Sequence, residues 1–160
     1  MSGFLYKTFE TDRDLEREGI FVNFGSVKFC LARAGGRNKA FKDVFTAKAK
    51  RHRIELDNET LSDEVADRIM AEAYAEAVVL GWWTRKEDEN GEPVLKNGEE
   101  QWDDHIVNKE GKKVKYSIEE CVRLLLDLPD LFSTLQSYAQ KSANFRKELE
   151  AEDEGNLKDS

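Results

Sequence analysis

The side chains that most often perform catalysis or bind metals are few in this sequence and widely spaced. There are two histidines, His52 and His105, and two cysteines, Cys30 and Cys121. A catalytic site needs a nucleophile or titratable group beside a partner that orients it, and a zinc site needs His or Cys ligands at short spacing. His52 lies within a run of cations, whereas His105 follows two aspartates with no second histidine or cysteine nearby. We therefore predict a protein that is not an enzyme, with no catalytic residues, no cofactor and no bound metal.

Two glycine-containing segments look like ligand-binding loops but lack the required spacing. Ahead of Gly91, the position where a calcium loop places its first acid holds Lys86, and no glutamate completes the loop downstream. Gly35 and Gly36 are not followed by the Lys-Ser/Thr pair of a phosphate-binding loop. Asn90-Gly91 is better interpreted as a hairpin turn.

Positive charge is concentrated between Lys28 and Arg53. This segment holds nine Lys or Arg against one acid, Asp43, for a net +8, so the remainder carries −16 within the formal net charge of −8. One element therefore attracts an acidic surface while the rest of the chain repels one. A nucleic-acid-binding regulator that uses residues 28–53 is an alternative, although the acidic remainder disfavours a polyanionic ligand. A solvated helix face would explain the same charges.

Trp82 and Trp83 are the second feature that a core alone does not require. Two adjacent side chains cannot both point the same way, so we expect one of them to be partly exposed, where tryptophan is a frequent binding anchor. We hypothesise that these side chains and the basic segment form a partner-binding surface. Its members are Arg33, Arg37, Lys48, Lys50, Arg51, Arg53, Trp82 and Trp83.

Local patterns predict the elements that would position these residues. Ile20–Phe24 and Val27–Leu31 flank Gly25-Ser26, which is typical of a β-hairpin with a type II′ turn. Three Asn-Gly or Glu-Gly turns make residues 84–116 a turn-rich, partly β excursion. Apolar spacing and capping residues predict helices over residues 38–52, 62–80, 117–128 and 129–149, with a loop at 56–61, Gly81 as the C-cap of the second helix and Pro129 opening the last.

These elements predict a mainly α fold: a single compact helical domain of about four helices with a small N-terminal β-hairpin and a turn-rich, partly β insertion. We divide the chain into an irregular segment (1–19), the helical domain (20–149, with the insertion at 84–116) and an acidic disordered tail (150–160). The mixed charges of Met1–Glu18 are unlike a signal peptide. No run approaches the ~20 apolar residues that cross a bilayer, and free buried cysteines are typical of a reducing compartment. We expect a cytoplasmic location and no membrane partner.

The stretch Lys28–Phe41, KFCLARAGGRNKAF, resembles the opening of the tail assembly chaperones of long-tailed (siphovirus-type) bacteriophages and prophages. In that family a strand ends in a similar ARAGG stretch and a basic helix follows. The similarity continues in order through Tyr74–Trp82, the "YAE-V--GW" motif, and through Leu128–Phe132. Residues 96–115 look like an insertion relative to the family, so their role cannot be inherited.

The resemblance implies a non-catalytic assembly factor in the host bacterial cytoplasm. Such a chaperone binds the tape measure protein, keeps it soluble, helps to recruit the major tail protein, and is absent from the finished virion. The resemblance leaves self-association open. A permanent structural subunit of the virion or tail is a further alternative.

Overall fold

The computed structural model describes residues 3–146. Within this range a four-stranded antiparallel sheet packs one face against helices. Helices account for 49% and strands for 22% of these residues. The predicted mainly α class is therefore wrong, and the protein has a mixed α/β fold.

The helices and strands of the described residues have the following bounds. The helices are α1 (Phe4–Phe9), α2 (Arg13–Glu18), α3 (Lys39–Lys50), α4 (Arg53–Asp57), α5 (Asp63–Ala77), α6 (Ile118–Asp127) and α7 (Pro129–Gln140), followed by a 3₁₀ helix at Ser142–Phe145. The strands are β1 (Ile20–Phe24), β2 (Val27–Leu31), β3 (Val79–Arg85), β4 (Leu95–Lys96), β5 (Glu99–Glu100), β6 (Trp102–Asp103), β7 (His105–Val107) and β8 (Lys113–Lys115). The main sheet has the order β1-β2-β3-β6, and β4 with β5 and β7 with β8 form two separate hairpins.

The β1–β2 hairpin confirms the prediction from two β-rich runs separated by Gly25-Ser26. Gly25 has φ 62°, the positive value that the first position of a type II′ turn requires. Val22 lies opposite Phe29, and both side chains are buried on the core face of the sheet. Exposed and buried residues alternate at the centre of β1, whereas β2 is buried on both faces near its end, where Cys30 and Leu31 are both buried.

The largest difference from the sequence-based prediction lies at the end of α5. The predicted helix runs through Leu80 with Gly81 as its C-cap, but α5 ends at Ala77 and β3 follows almost at once. Gly81 lies opposite Cys30 in the sheet. Apolar, aromatic and β-branched residues fit both a buried helix end and a central strand, and here pairing with β2 decides between them.

Tertiary hydrogen bonds complete this early helix end. A helix leaves its last carbonyl groups without intrahelical partners. The side-chain amide of Asn38 donates to the carbonyl of Ala77 at 3.1 Å, and the N–H of Ala32 donates to that of Val78 at 2.8 Å. The Tyr116 phenol lies against two further carbonyls at the same junction. The donors come from three separate segments, so the end of α5 depends on the fold.

The core lies between the sheet and the pair α5–α6, with α7 closing its far side. Tyr74, Leu125 and Leu135 are buried there together with Trp82. The turn-rich segment contributes as well, since Ile106 on β7 is buried in the same cluster. The segment is thus partly β, as predicted, but it is packed onto the core.

The predicted starts of the last two helices are confirmed, but the last helix ends earlier than predicted. The Ser117 hydroxyl accepts a hydrogen bond from the N–H of Glu120 at 3.1 Å, and Pro129 is the first residue of α7. Helix α7 ends at Gln140, and Phe145 in the 3₁₀ helix is fully buried. The predicted acidic tail at 150–160 lies outside the described residues.

The first part of the chain contains the short helices α1 and α2 where the sequence shows only a weak helical pattern. Likewise α4 occupies the start of the predicted 56–61 loop. None of the described helices is both long and apolar enough to span a membrane.

Candidate functional site

Arg33, one of the predicted partner-binding residues, is part of a buried ion pair. Its guanidinium contacts the Glu16 carboxylate at 3.2 Å, and Glu16, on α2, is only 3% exposed. Burial would raise the pKa of Glu16, but hydrogen bonds from Thr11 and Arg33 outweigh it and the pKa is lowered. Arg33 therefore joins α2 to the end of β2.

Gly36 is required beside this pair. It has φ +56°, and a Cβ placed there would lie 2.7 Å from the Arg33 guanidinium. Gly36 thus leaves space for the Arg33 side chain to reach Glu16.

Lys48 is likewise engaged in ion pairs within the protein. Its ammonium lies 3.0 Å from Glu72 and 3.0 Å from Glu76, which are one turn apart on α5, and its side chain is only 16% exposed. The pKa of Lys48 is raised, chiefly by its hydrogen bond to Glu76. Part of the basic segment is therefore neutralised by acids of α5, and Lys48 fastens α3 onto that helix.

Trp82 points into the core. It is 1% exposed, and its indole N–H donates to the carbonyl of Val114 at 3.1 Å. Its ring makes edge-to-face contacts with Phe29 and Tyr116. Of the adjacent tryptophans only Trp83 is partly exposed, as the sequence predicted.

Trp83 belongs to an aromatic patch on the solvent face of the sheet. Its ring packs edge-to-face against Phe21 at 5.8 Å between centroids. The ammonium of Lys28 lies over Phe21 at 4.7 Å, over Trp102 at 4.2 Å and over Trp83 at 5.8 Å. This sheet patch, made of Phe21, Lys28, Trp83 and Trp102, is held together by cation–π and edge contacts.

The remaining predicted cations are exposed. Lys50 and Arg51 at the end of α3 face solvent, and Arg53 makes a long ion pair with Asp57 at 3.8 Å. Arg37 is half-exposed and lies 4.0 Å from Glu16. The structure thus separates the eight predicted residues into a buried member (Trp82), two partly buried cations engaged in ion pairs (Arg33 and Lys48), a sheet-patch member (Trp83) and surface cations (Arg37, Lys50, Arg51 and Arg53).

The sequence analysis missed an apolar surface on α1. Phe4 and Phe9 are 78% and 69% exposed, and Leu5 and Tyr6 are exposed to a similar degree. No residue of α1 is buried. The sequence does contain a signal for this surface, which is the run of large apolar residues within Phe4–Phe9. Such side chains rarely cluster on a surface without a partner.

The α1 surface meets cations in a groove of about 950 Å³. Leu5, Tyr6 and Phe9 line it from α1, and Arg13 and Arg37 line it from α2 and from the loop before α3. We call these five residues the α1 groove. Glu10, Asp12 and Asp14 line the groove as well, so its walls combine apolar side chains with three carboxylates and two guanidinium groups.

The titratable groups of the core are poorly suited to nucleophilic chemistry. Burial raises the pKa of the Cys121 thiol to about 12 and raises that of Cys30, so neither forms a thiolate readily near neutral pH. Burial also raises the pKa of the Tyr116 phenol. Among residues 3–146 no three His, Cys, Asp or Glu side chains cluster as metal ligands would.

Residues 100–156 match the family model described as YdaY prophage protein. The matched range begins in β5, includes α6 and α7, and continues past the described residues. It covers less than half of the chain and supports a prophage-derived protein. No curated protein and no solved structure matches the chain.

Proposed function

We propose that this prophage-derived protein is a tail assembly chaperone that binds the tape measure protein, keeps it soluble and helps to recruit the major tail protein. The proposal rests on the resemblance of Lys28–Phe41 and Tyr74–Trp82 to that family and on the prophage match at residues 100–156. Neither of these identifies the surface that would hold the partner. The surface follows from exposure and charge.

The α1 groove is the observation that carries the proposal. Amphipathic helices bind other proteins by laying an apolar face into a groove, with charges at the rim fixing orientation. The apolar side chains of Leu5, Tyr6 and Phe9 offer that face, and the carboxylates and guanidinium groups around them would orient a partner that carries charges of both signs. A long helical polypeptide presents such stretches repeatedly, so one groove per chaperone could cover it in many copies.

The groove is held in place by contacts from the other end of the described chain. The Arg146 guanidinium donates to the carbonyl of Thr8 at 3.1 Å, and the N–H of Asp12 donates to the carbonyl of Phe145 at 2.7 Å. Phe145 is itself fully buried. The apolar residues of α1 are therefore displayed on an anchored segment, and little ordering would accompany binding.

The exposed cations Lys50, Arg51 and Arg53 lie at the end of α3, in the turn that follows and at the start of α4, separate from α1. They offer a second, polar surface that could contact an acidic face of the major tail protein while the groove is occupied. Charge-dominated contacts of this kind form quickly and dissociate in competition with other partners, which suits a factor that leaves the assembled tail.

Co-expression with the tape measure protein of the same prophage tests the role of the groove. We expect the wild-type chain to keep the tape measure protein soluble and the Leu5→Ser/Phe9→Ser variant to lose most of that effect. Both side chains are exposed, so the variant should fold. Leu95→Ser, at an exposed position on the β4–β5 hairpin, is the matched control. A tape measure protein that is equally soluble without this chain would overturn the proposal.

Mass spectrometry of purified phage particles separates the chaperone from a structural tail subunit. A chaperone should be absent from finished particles and present in lysates before tails are complete. Stoichiometric recovery of the chain in the particles would instead favour the structural role.

A further inference from the structure

We propose that the free edge of β1 pairs with β1 of a second copy of this chain, joining two four-stranded sheets into one. This edge belongs to Ile20–Phe24, the first strand in the order β1-β2-β3-β6. The strand contains no charged residue and no proline. Natural proteins usually protect such an edge with lysine, proline, a bulge or a covering element, because its unpaired backbone groups readily accept another strand.

The register of the hairpin shows which backbone groups face outward. Phe24 and Val27 flank a two-residue turn and form a hydrogen-bonded pair, so Val22 and Phe29 form the next one. The N–H and C=O groups of the intervening residues must point away from β2. The same alternation holds on the other side of β2. There the N–H of Arg85 donates to the carbonyl of Ser26 at 2.7 Å, so alternate residues bond to β1 and to β3.

Phe21 and Asn23 therefore direct two N–H and two C=O groups outward from β1. These groups have no backbone partner within residues 3–146. Phe21 is 61% exposed and Asn23 is also exposed, and no described element besides β2 makes extensive backbone contact with β1. The outward groups are open to a strand from another molecule.

A second copy satisfies these groups by symmetry. With a two-fold axis at Val22, Phe21 of each chain lies opposite Asn23 of the other, and the two pairs exchange all four hydrogen bonds. The same register places Ile20 of each copy opposite Phe24 of the other, covering two side chains that are only partly buried in one chain. Because the strand is uncharged, the contact brings no like charges together.

The opposite edge of the sheet lacks these properties. Strand β6 has only two residues, Trp102 and Asp103, and Lys86 forms an ion pair with Asp103 at 3.5 Å. A short, charged edge is poorly suited to strand addition. Pairing through β1 alone closes after two chains, which predicts a dimer and not a fibre.

Analytical ultracentrifugation of the full chain over a concentration series tests the dimer. We expect a dimer for the wild type and a dissociation constant raised by at least about tenfold in Asn23→Lys, which places a lysine against the paired edge of both copies. Asn23 is exposed and the substitution keeps the β1–β2 hydrogen bonds. Leu95→Lys adds the same charge at an exposed site on the β4–β5 hairpin and should leave the dimer intact.

Amide hydrogen exchange provides the register-specific readout. The amides of Phe21 and Asn23 should gain protection as the concentration rises, while that of Val22, already bonded to β2, should change much less. A chain that is monomeric at every concentration would overturn the inference, and so would a dimer that Asn23→Lys leaves unchanged. Either result can be told apart from failure of the chaperone proposal, which is measured by solubility of the tape measure protein.

Discussion

Single ion pairs decide which cations of the basic segment are available to a partner. Lys48 lies between Glu72 and Glu76 at 3.0 Å from each, whereas Lys42 on the same helix is exposed. Burial would raise the pKa of Glu72, but its hydrogen bond to Lys48 and the nearby positive charges outweigh burial, so the pKa is lowered. Two cations in one helix therefore have different roles.

Lys48→Ala should lower the free energy of unfolding by about 1–2 kcal/mol near neutral pH, because it leaves two partly buried carboxylates one turn apart without their counter-ion. Lys42→Ala, the control, should change it by less than about 0.5 kcal/mol. Urea denaturation of both variants measures the difference.

The effect of Lys48→Ala should also depend on pH. Since the folded-state pKa of Glu72 is below its ordinary value of 4.5, the stabilisation is present above that value and is lost as the pH falls through the lowered pKa. The wild type and Lys48→Ala should therefore converge in stability in acid. A difference that stays constant down to the lowest pH at which both fold would contradict this account.

At the scale of elements, the junction between α5 and β3 determines the shape of the core. The Tyr116 phenol lies within hydrogen-bonding distance of the carbonyls of Ala75 and Val79, 2.7 Å from the latter. Its ring packs edge-to-face on Trp82 at 5.0 Å. One phenol proton from the segment before α6 is thus shared between the last turn of a helix and the first residue of a strand.

Tyr116→Phe should lower the free energy of unfolding by about 1–2 kcal/mol, because it keeps the ring but leaves buried carbonyls without a donor. Tyr138→Phe, at a site that is 41% exposed, removes the same hydroxyl with little expected effect. A shift of the urea midpoint at constant slope in the first variant and none in the second would support the assignment. Equal shifts would show that the hydroxyl of Tyr116 has no special role.

At the scale of the whole molecule, net charge and its distribution oppose binding to nucleic acid. The chain carries a formal −8, and Arg33 and Lys48, two of the cations in the basic segment, are engaged by internal carboxylates. The exposed cations that remain run from the loop before α3, along that helix, to the start of α4.

We therefore expect no gel shift with generic duplex DNA even at about 50 mM salt, where phosphate contacts are strongest. A known basic DNA-binding protein serves as the positive control. A shift that weakens with salt and is lost in Lys50→Glu/Arg51→Glu would instead favour the nucleic-acid-binding alternative.

The sequence alone determined the features that depend on near neighbours along the chain. The β1–β2 hairpin followed from two β-rich runs around Gly25-Ser26, and the starts of α5, α6 and α7 followed from Ser62, Ser117 and Pro129. Each is set by local backbone conformation or by a hydrogen bond within one turn. The partial exposure of only one of Trp82 and Trp83 followed from the alternation of adjacent side chains.

Only the tertiary structure decided where α5 ends, which cations are free and which edges of the sheet are open. The donors that complete α5 come from Ala32, Asn38 and Tyr116, and the acids that engage Lys48 lie on another helix. A mainly α fold was predicted because residues 79–85 fit either a helix end or a strand, and pairing with β2 resolved that ambiguity. Such contacts join residues far apart in the chain, so a local sequence pattern cannot predict them.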